Sequence, residues 1–177
     1  RIPTKNFLTE TYTNWQAMFS SGARRIMRST TIDQHSVVFL NQEILAPMLG
    51  IRGVSEPLAK LLDGRDPLGV ADNWFVDNGL TNLTLFRHYM MAYLAERPDI
   101  IKDMYIVVRT LKPSASGIPL EIYCFTTSTM WMDYENTQSA IFEYITAVVE
   151  KFSLRLYQYP AGHDFWRLSQ ESEKGRA

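Results

Sequence analysis

Cysteine is almost missing from this chain. Cys124 is the single one in 177 residues, which excludes an internal disulfide and favours a reducing compartment. Histidine is scarce as well. His35, His88 and His163 lie far apart, and none stands at a metal-ligand spacing from another histidine or from Cys124, so no zinc site is expected. Long apolar runs are missing: the longest stretch without Asp, Glu, Lys or Arg covers residues 11–23 and is broken by Thr, Asn, Gln and Ser. A membrane-spanning helix needs roughly 20 mostly apolar residues. The opening RIPTKNFLTE has no apolar run of the kind a secretory signal requires. A basic excess is missing too. The formal net charge is −1, which gives no global attraction to nucleic acid or to anionic membranes. Finally, Gly50, Gly53, Gly64, Gly69 and Gly79 match neither G-x-G-x-x-G nor the P-loop pattern, so no phosphate cradle is expected.

What is present is the composition of an ordinary folded domain. Apolar residues make up 46% and charged residues 21%, enough to build a core. No internal repeat or low-complexity segment occurs. Alternation predicts a strand near residues 11–16, and the SSG at 20–22 predicts a turn. ARRIMRSTTID, residues 23–33, reads as a strand because Ile and Thr are frequent and Gly and Pro absent. Asn41 is placed to cap a short helix that contains Pro47 and stops near Gly50. SEPLAKLLDG opens with Pro57 near its first turn and ends on Gly64, the usual asymmetry of a short helix. Residues 65–79, rich in Asp, Asn, Gly and Pro, are expected to be mostly loop.

The second half is more regular. Leu83, Phe86, Met90, Tyr93 and Leu94 recur at spacings of three and four and predict one helix face. Thr81 or Asn82 can cap its start, and Pro98 ends it. Residues 103–112 and 119–127 predict two strands of a hairpin joined through PSASG. Asp133 is the expected N-cap of a further helix, with Glu135 near the positive end of its dipole. Tyr134, Ile141, Ile145, Val148, Val149 and Phe152 form its apolar stripe. LRLYQYP is the expected last strand, and the tail after Gly162 turns polar. The order from residue 23 to 159 is therefore β-α-β-β-α-β. This predicts an α+β, ferredoxin-like domain with an extra helical segment at about 41–79 after the first strand.

The stretch EIYCFTTSTMWMDYEN concentrates reactive residue types, yet its spacing favours structure over chemistry. Cys124 lies in mid-strand between Tyr123 and Phe125 and is expected to be a small core side chain rather than a nucleophile. Asp133 and Glu135 stand two apart, do not share a helix face, and suit capping better than acid–base work. No catalytic residue, cofactor or metal is expected. Arg24, Arg25 and Arg28 fall on two faces of one strand, and no strand carries the aromatic run of an RNA-binding sheet. A soluble ferredoxin-like module binding a ligand or RNA remains the alternative reading.

Three blocks go further. IPTKNFLTETYTNW followed by SSGARRIMRSTTID, then LTNLTLFRHYMMAYLAERPDI, then residues 107–162 from VVRTLKPSASG to LYQYPAG, resemble in this order the mechanosensitive channel of small conductance (MscS) family. They look closest to its YbdG-like miniconductance branch. Ala23 stands where a second glycine is common in that family. The resemblance implies that residues 1–22 are the last strands of a small Sm-like β domain and 23–162 a ferredoxin-like vestibule domain. Residues 163–177 are then a C-terminal tail. It implies membrane helices preceding this part, a homo-oligomer that is a heptamer in the full channel, and no nucleic-acid partner. It implies the bacterial inner membrane, with this part on the cytoplasmic side. The implied function is solute release under membrane tension during hypo-osmotic shock, with this part assembling subunits and filtering solutes. Trp15, Phe165 and Trp166 lie at the edges of the recognised region and are candidates either for subunit contacts or for packing on their own domain.

Overall fold

The computed structural model describes residues 22–159. The expected strand at 11–16, the Sm-like strands, the tail, and with them Trp15, Phe165 and Trp166, lie outside the described residues.

Strand β1 (Arg24–Ile32) leads through a 3-10 turn at Gln34–Ser36 into three short helices. These are α1 (Gln42–Met48), α2 (Ser55–Leu61) and α3 (Asp72–Asp77). The long helix α4 (Asn82–Glu96) follows, then β2 (Val107–Thr110), β3 (Ile118–Thr126), helix α5 (Trp131–Val148) and a 3-10 turn at Val149–Phe152. The described strands form one antiparallel sheet in the order β1-β3-β2. This is a mixed helix and sheet architecture, in line with the expected α+β class.

One face of the sheet is core. Ile26, Val108, Leu120, Ile122 and Cys124 are buried there, in one cluster with Phe86 and Met90 of α4 and Ile141 and Ile145 of α5. Leu45, Met48, Leu58, Leu62 and Phe75 belong to the same cluster, so the helices of the 41–79 segment extend that core. The helices explain themselves locally. Asn41 caps α1 by accepting from Ile44 N at 2.8 Å, and Thr81 caps α4 by accepting from Thr84 N at 3.1 Å. Pro98 follows the end of α4 at Glu96.

Asn82 does something other than capping. Its side chain is fully buried and donates to the carbonyls of Ser36 (2.9 Å), Phe152 (3.1 Å) and Ser153 (3.2 Å). Its oxygen accepts from Val38 N (3.1 Å) and Leu83 N (2.9 Å). One amide thus pins the start of α4 to the segment after β1 and to the turn after α5.

Four expectations are corrected. The last strand of the βαββαβ order shrinks to a single bridge between Leu156 and Ile32. It is flanked by two backbone bonds, Asp33 N to Arg155 O and Tyr157 N to Thr31 O, both 2.8 Å. Beyond it the Tyr159 hydroxyl lies 3.3 Å from Ser116 Oγ, at the hairpin turn, and the ladder along β1 is not continued. The four-stranded ferredoxin-like sheet is therefore incomplete among the described residues. The loop expected at 65–79 contains α3, because Phe75 is anchored in the core and the Asp72 carboxylate accepts from Gln42 N at 2.8 Å. The strand expected at 103–112 is limited to Val107–Thr110. Asp133 is not the N-cap of α5, which already starts at Trp131. The N-cap position is held by Met130, without a side-chain capping bond; just before it, Ser128 Oγ accepts from Met130 N (3.2 Å) and donates to Asp133 Oδ2 (2.7 Å). Asp133 stays in the first turn, where a negative charge suits the helix dipole.

Candidate functional site

Cys124 sits on the central strand opposite Ile26 and is fully buried. Burial, with a smaller contribution from the Asp99 charge, pushes its thiol up to about 12, against a slight pull from Arg97. A nucleophilic cysteine needs the reverse, a depressed value and partial exposure. Cys124 is a packing residue, as its mid-strand position predicts. Glu135 accepts from Gln138 at 3.5 Å within α5, and Asp133 accepts from Ser128 just before the helix. Among the described residues no group of His, Cys, Asp and Glu is arranged to hold a metal ion.

The nearest polar constellation is a joint. Arg97 pairs with both oxygens of Asp99, at 2.8 and 2.5 Å, and donates to the Tyr93 hydroxyl at 2.7 Å. Thr137 of α5 donates to the same carboxylate at 3.1 Å. Burial alone would raise Asp99, but the Arg97 bonds and charge, helped by Thr137, outweigh it and hold the carboxyl below its ordinary value. The joint ties the end of α4 to the start of α5.

A second constellation is open to solvent. Tyr89 and Tyr93 of α4 and Tyr144 of α5 meet between the helices. The Tyr93 and Tyr144 rings stack at 4.1 Å, and the Tyr89 and Tyr144 hydroxyls hydrogen-bond to each other. Burial, then the bond to Tyr144, raises the Tyr89 hydroxyl far above its ordinary range, so it stays protonated. The tyrosines form the floor of a two-lobed cleft whose lobes, of about 480 and 670 Å³, share Arg52, Tyr89 and Tyr144. The smaller lobe ends at Glu96, and the larger at Lys151 with Ile51, Ala147 and Val148. Among the described residues the side chain of neither Arg52 nor Lys151 forms an ion pair or a hydrogen bond. Sequence patterns missed this site because residues 52, 89, 144 and 151 come together only through helix packing. The one signal was Tyr89 and Tyr93 at a spacing of four.

The sheet face opposite the core is the third surface. Tyr123 and Phe125 of β3 are half-buried in edge contact at 5.5 Å, and Arg25 lies over the Tyr123 ring at 5.8 Å. Arg109 and Glu121 pair on the same face at 2.6 Å. Arg24 instead lies 3.9 Å over the Tyr134 ring of α5, so the arginines do divide between two faces. Next to this, Met130, Trp131 and Met132 form an exposed apolar step at the start of α5, each at least 60% exposed.

Among the described residues no helix is long and apolar enough to cross a membrane. Residues 81–156, which span α4, the β2–β3 hairpin, α5 and the bridge at Leu156, match the family model described as mechanosensitive ion channel MscS, C-terminal. The match makes residues 81–156 similar to the C-terminal region of that family.

Proposed function

We propose that the chain is part of the cytoplasmic vestibule of an MscS-type channel of the YbdG-like miniconductance branch. In this reading the full protein opens under membrane tension in a bacterial inner membrane and releases solutes during hypo-osmotic shock. The described domain assembles subunits, as a heptamer, and filters solutes; it does no catalysis and binds no nucleic acid. The observation that carries the reading is the family match over 81–156, which begins one residue before α4 and ends at Leu156. The sheet order β1-β3-β2, with Leu156 bridged to β1, supports a ferredoxin-like fold whose fourth strand is represented by a single bridge among the described residues. The exposed Met130–Trp131–Met132 step suits a subunit contact, since aromatic residues and Met are enriched in such interfaces.

The test is to express the coding region together with its upstream sequence in bacteria stripped of mechanosensitive channels. Tension-activated current in membrane patches, and survival of osmotic downshock, are expected. Upstream sequence without apolar helices, or patches without such current, would overturn the reading.

The sheet face opposite the core favours one second reading, a module that stacks single-stranded RNA on Tyr123 and Phe125 beside Arg25. Against it, these rings contact each other and Glu121 shares their face. Salt-dependent binding of labelled oligonucleotides, weakened by Tyr123→Ala, would be required to keep it.

A further inference from the structure

We infer that the tyrosine-floored cleft between α4, α5 and the 49–54 turn binds a small organic anion, with its charged head between Arg52 and Lys151 and a flat apolar body over the tyrosines. This goes beyond the vestibule reading and does not depend on it.

The chemistry of the lining selects this class. Two cations line the larger lobe and carry no partner among the described residues. A pair of hydroxyls sharing one hydrogen bond uses a single proton, so the Tyr89–Tyr144 pair keeps a second O–H able to donate into the cleft. Cations and hydroxyl donors together ask for an acceptor-rich, negatively charged head. The remaining lining is apolar or aromatic: Ile51, Ala147, Val148 and the tyrosine rings. Lobes of about 480 and 670 Å³ fall in the size range of small-molecule sites. Glu96 closes the smaller lobe and repels an anionic head from that end, which fixes the ligand's direction. A bare inorganic anion would leave the aromatic floor uncovered, and a neutral aromatic would leave both cations unpaired.

The experiment is a calorimetric and NMR titration of the 177-residue chain with phenyl phosphate, with inorganic phosphate and phenol as separate arms. Phenyl phosphate is expected to bind with a dissociation constant of about 1 mM or tighter, and at least about tenfold tighter than either other arm. Amide shifts should centre on residues 50–53, 89–93 and 144–151. Arg52→Ala with Lys151→Ala should weaken binding at least about tenfold and remove its salt dependence. Both side chains are exposed, so the fold is kept, as an unchanged urea midpoint would show. Tyr144→Phe should weaken phenyl phosphate more than phenol. No binding by about 10 mM, equal binding of phosphate and phenyl phosphate, or affinity indifferent to the double substitution would each overturn the assignment.

Discussion

Replacing Asn82 by alanine should be among the most damaging single changes in the described domain. The amide is fully buried and serves five backbone groups from three segments: Ser36, Val38, Leu83, Phe152 and Ser153. Truncation leaves the Ser36 and Phe152 carbonyls without this donor in a setting where both residues are themselves buried. Each buried group left unsatisfied costs about 1–3 kcal/mol, and a small cavity adds to it. The expected loss is about 3–5 kcal/mol. For a chain of this size that lowers the melting temperature by roughly 6–20 °C. Urea unfolding followed by circular dichroism measures it directly. Asn82→Asp sharpens the test, because it keeps the shape but aims a carboxylate at three carbonyls. Its folded pKa must rise above the unfolded value of about 3.9, so the folded state binds the proton more tightly. The Asp variant should therefore gain stability relative to the native protein as pH falls, the reverse of an ordinary paired carboxylate. An Asn82→Ala loss below about 1 kcal/mol, or an Asp variant with no such pH trend, would refute the pinning role.

Further outcomes follow from other positions. Gly117 has φ +106°, and a Cβ there would collide with the Ile32 carbonyl oxygen, so Gly117→Ala should cost about 1–3 kcal/mol or more in urea unfolding. Gly64→Ala, with φ +74° and open space around it, should cost only about 1 kcal/mol. Cys124 should react with a thiol reagent at pH 8 no faster than the protein unfolds, since its thiol is buried and pushed up to about 12. Fast labelling of native protein would contradict the packing role. Asp99 is held below its ordinary value, so its contribution is present above the unfolded pKa and is lost as pH falls through the folded one. Urea midpoints of native protein and Asp99→Asn should converge on acidification below about pH 4. The isolated chain should be monomeric or weakly associated in light scattering at micromolar concentration, and a stable heptamer would contradict this.

Much of the scaffold was legible because it rests on local rules. The β-branched run of β1, the stripe from Leu83 to Leu94, Pro98 after α4, and Gly117 in the hairpin connection each state a backbone preference that the fold respects. The failures share a cause. Helix α3 lies in a stretch of turn formers and exists because Phe75 is buried and Asp72 meets Gln42. Asp133 is a reasonable cap by residue type, yet the helix starts two residues before it, at Trp131, and places it inside the first turn.

The sequence by itself determined the class of the fold, the order of its main elements, the core role of Cys124 and the resemblance to a channel family. These depend on periodicity, propensity and contiguous residue blocks, which are properties of neighbours in the chain. Only the tertiary structure decided that the last strand would be one bridge among the described residues, that Asn82 would bind three segments, and that Arg52, Tyr89, Tyr144 and Lys151 would share a cleft. Those features join residues tens of positions apart. Their energies arise from burial and hydrogen-bond geometry that exist only after the helices have packed on the sheet.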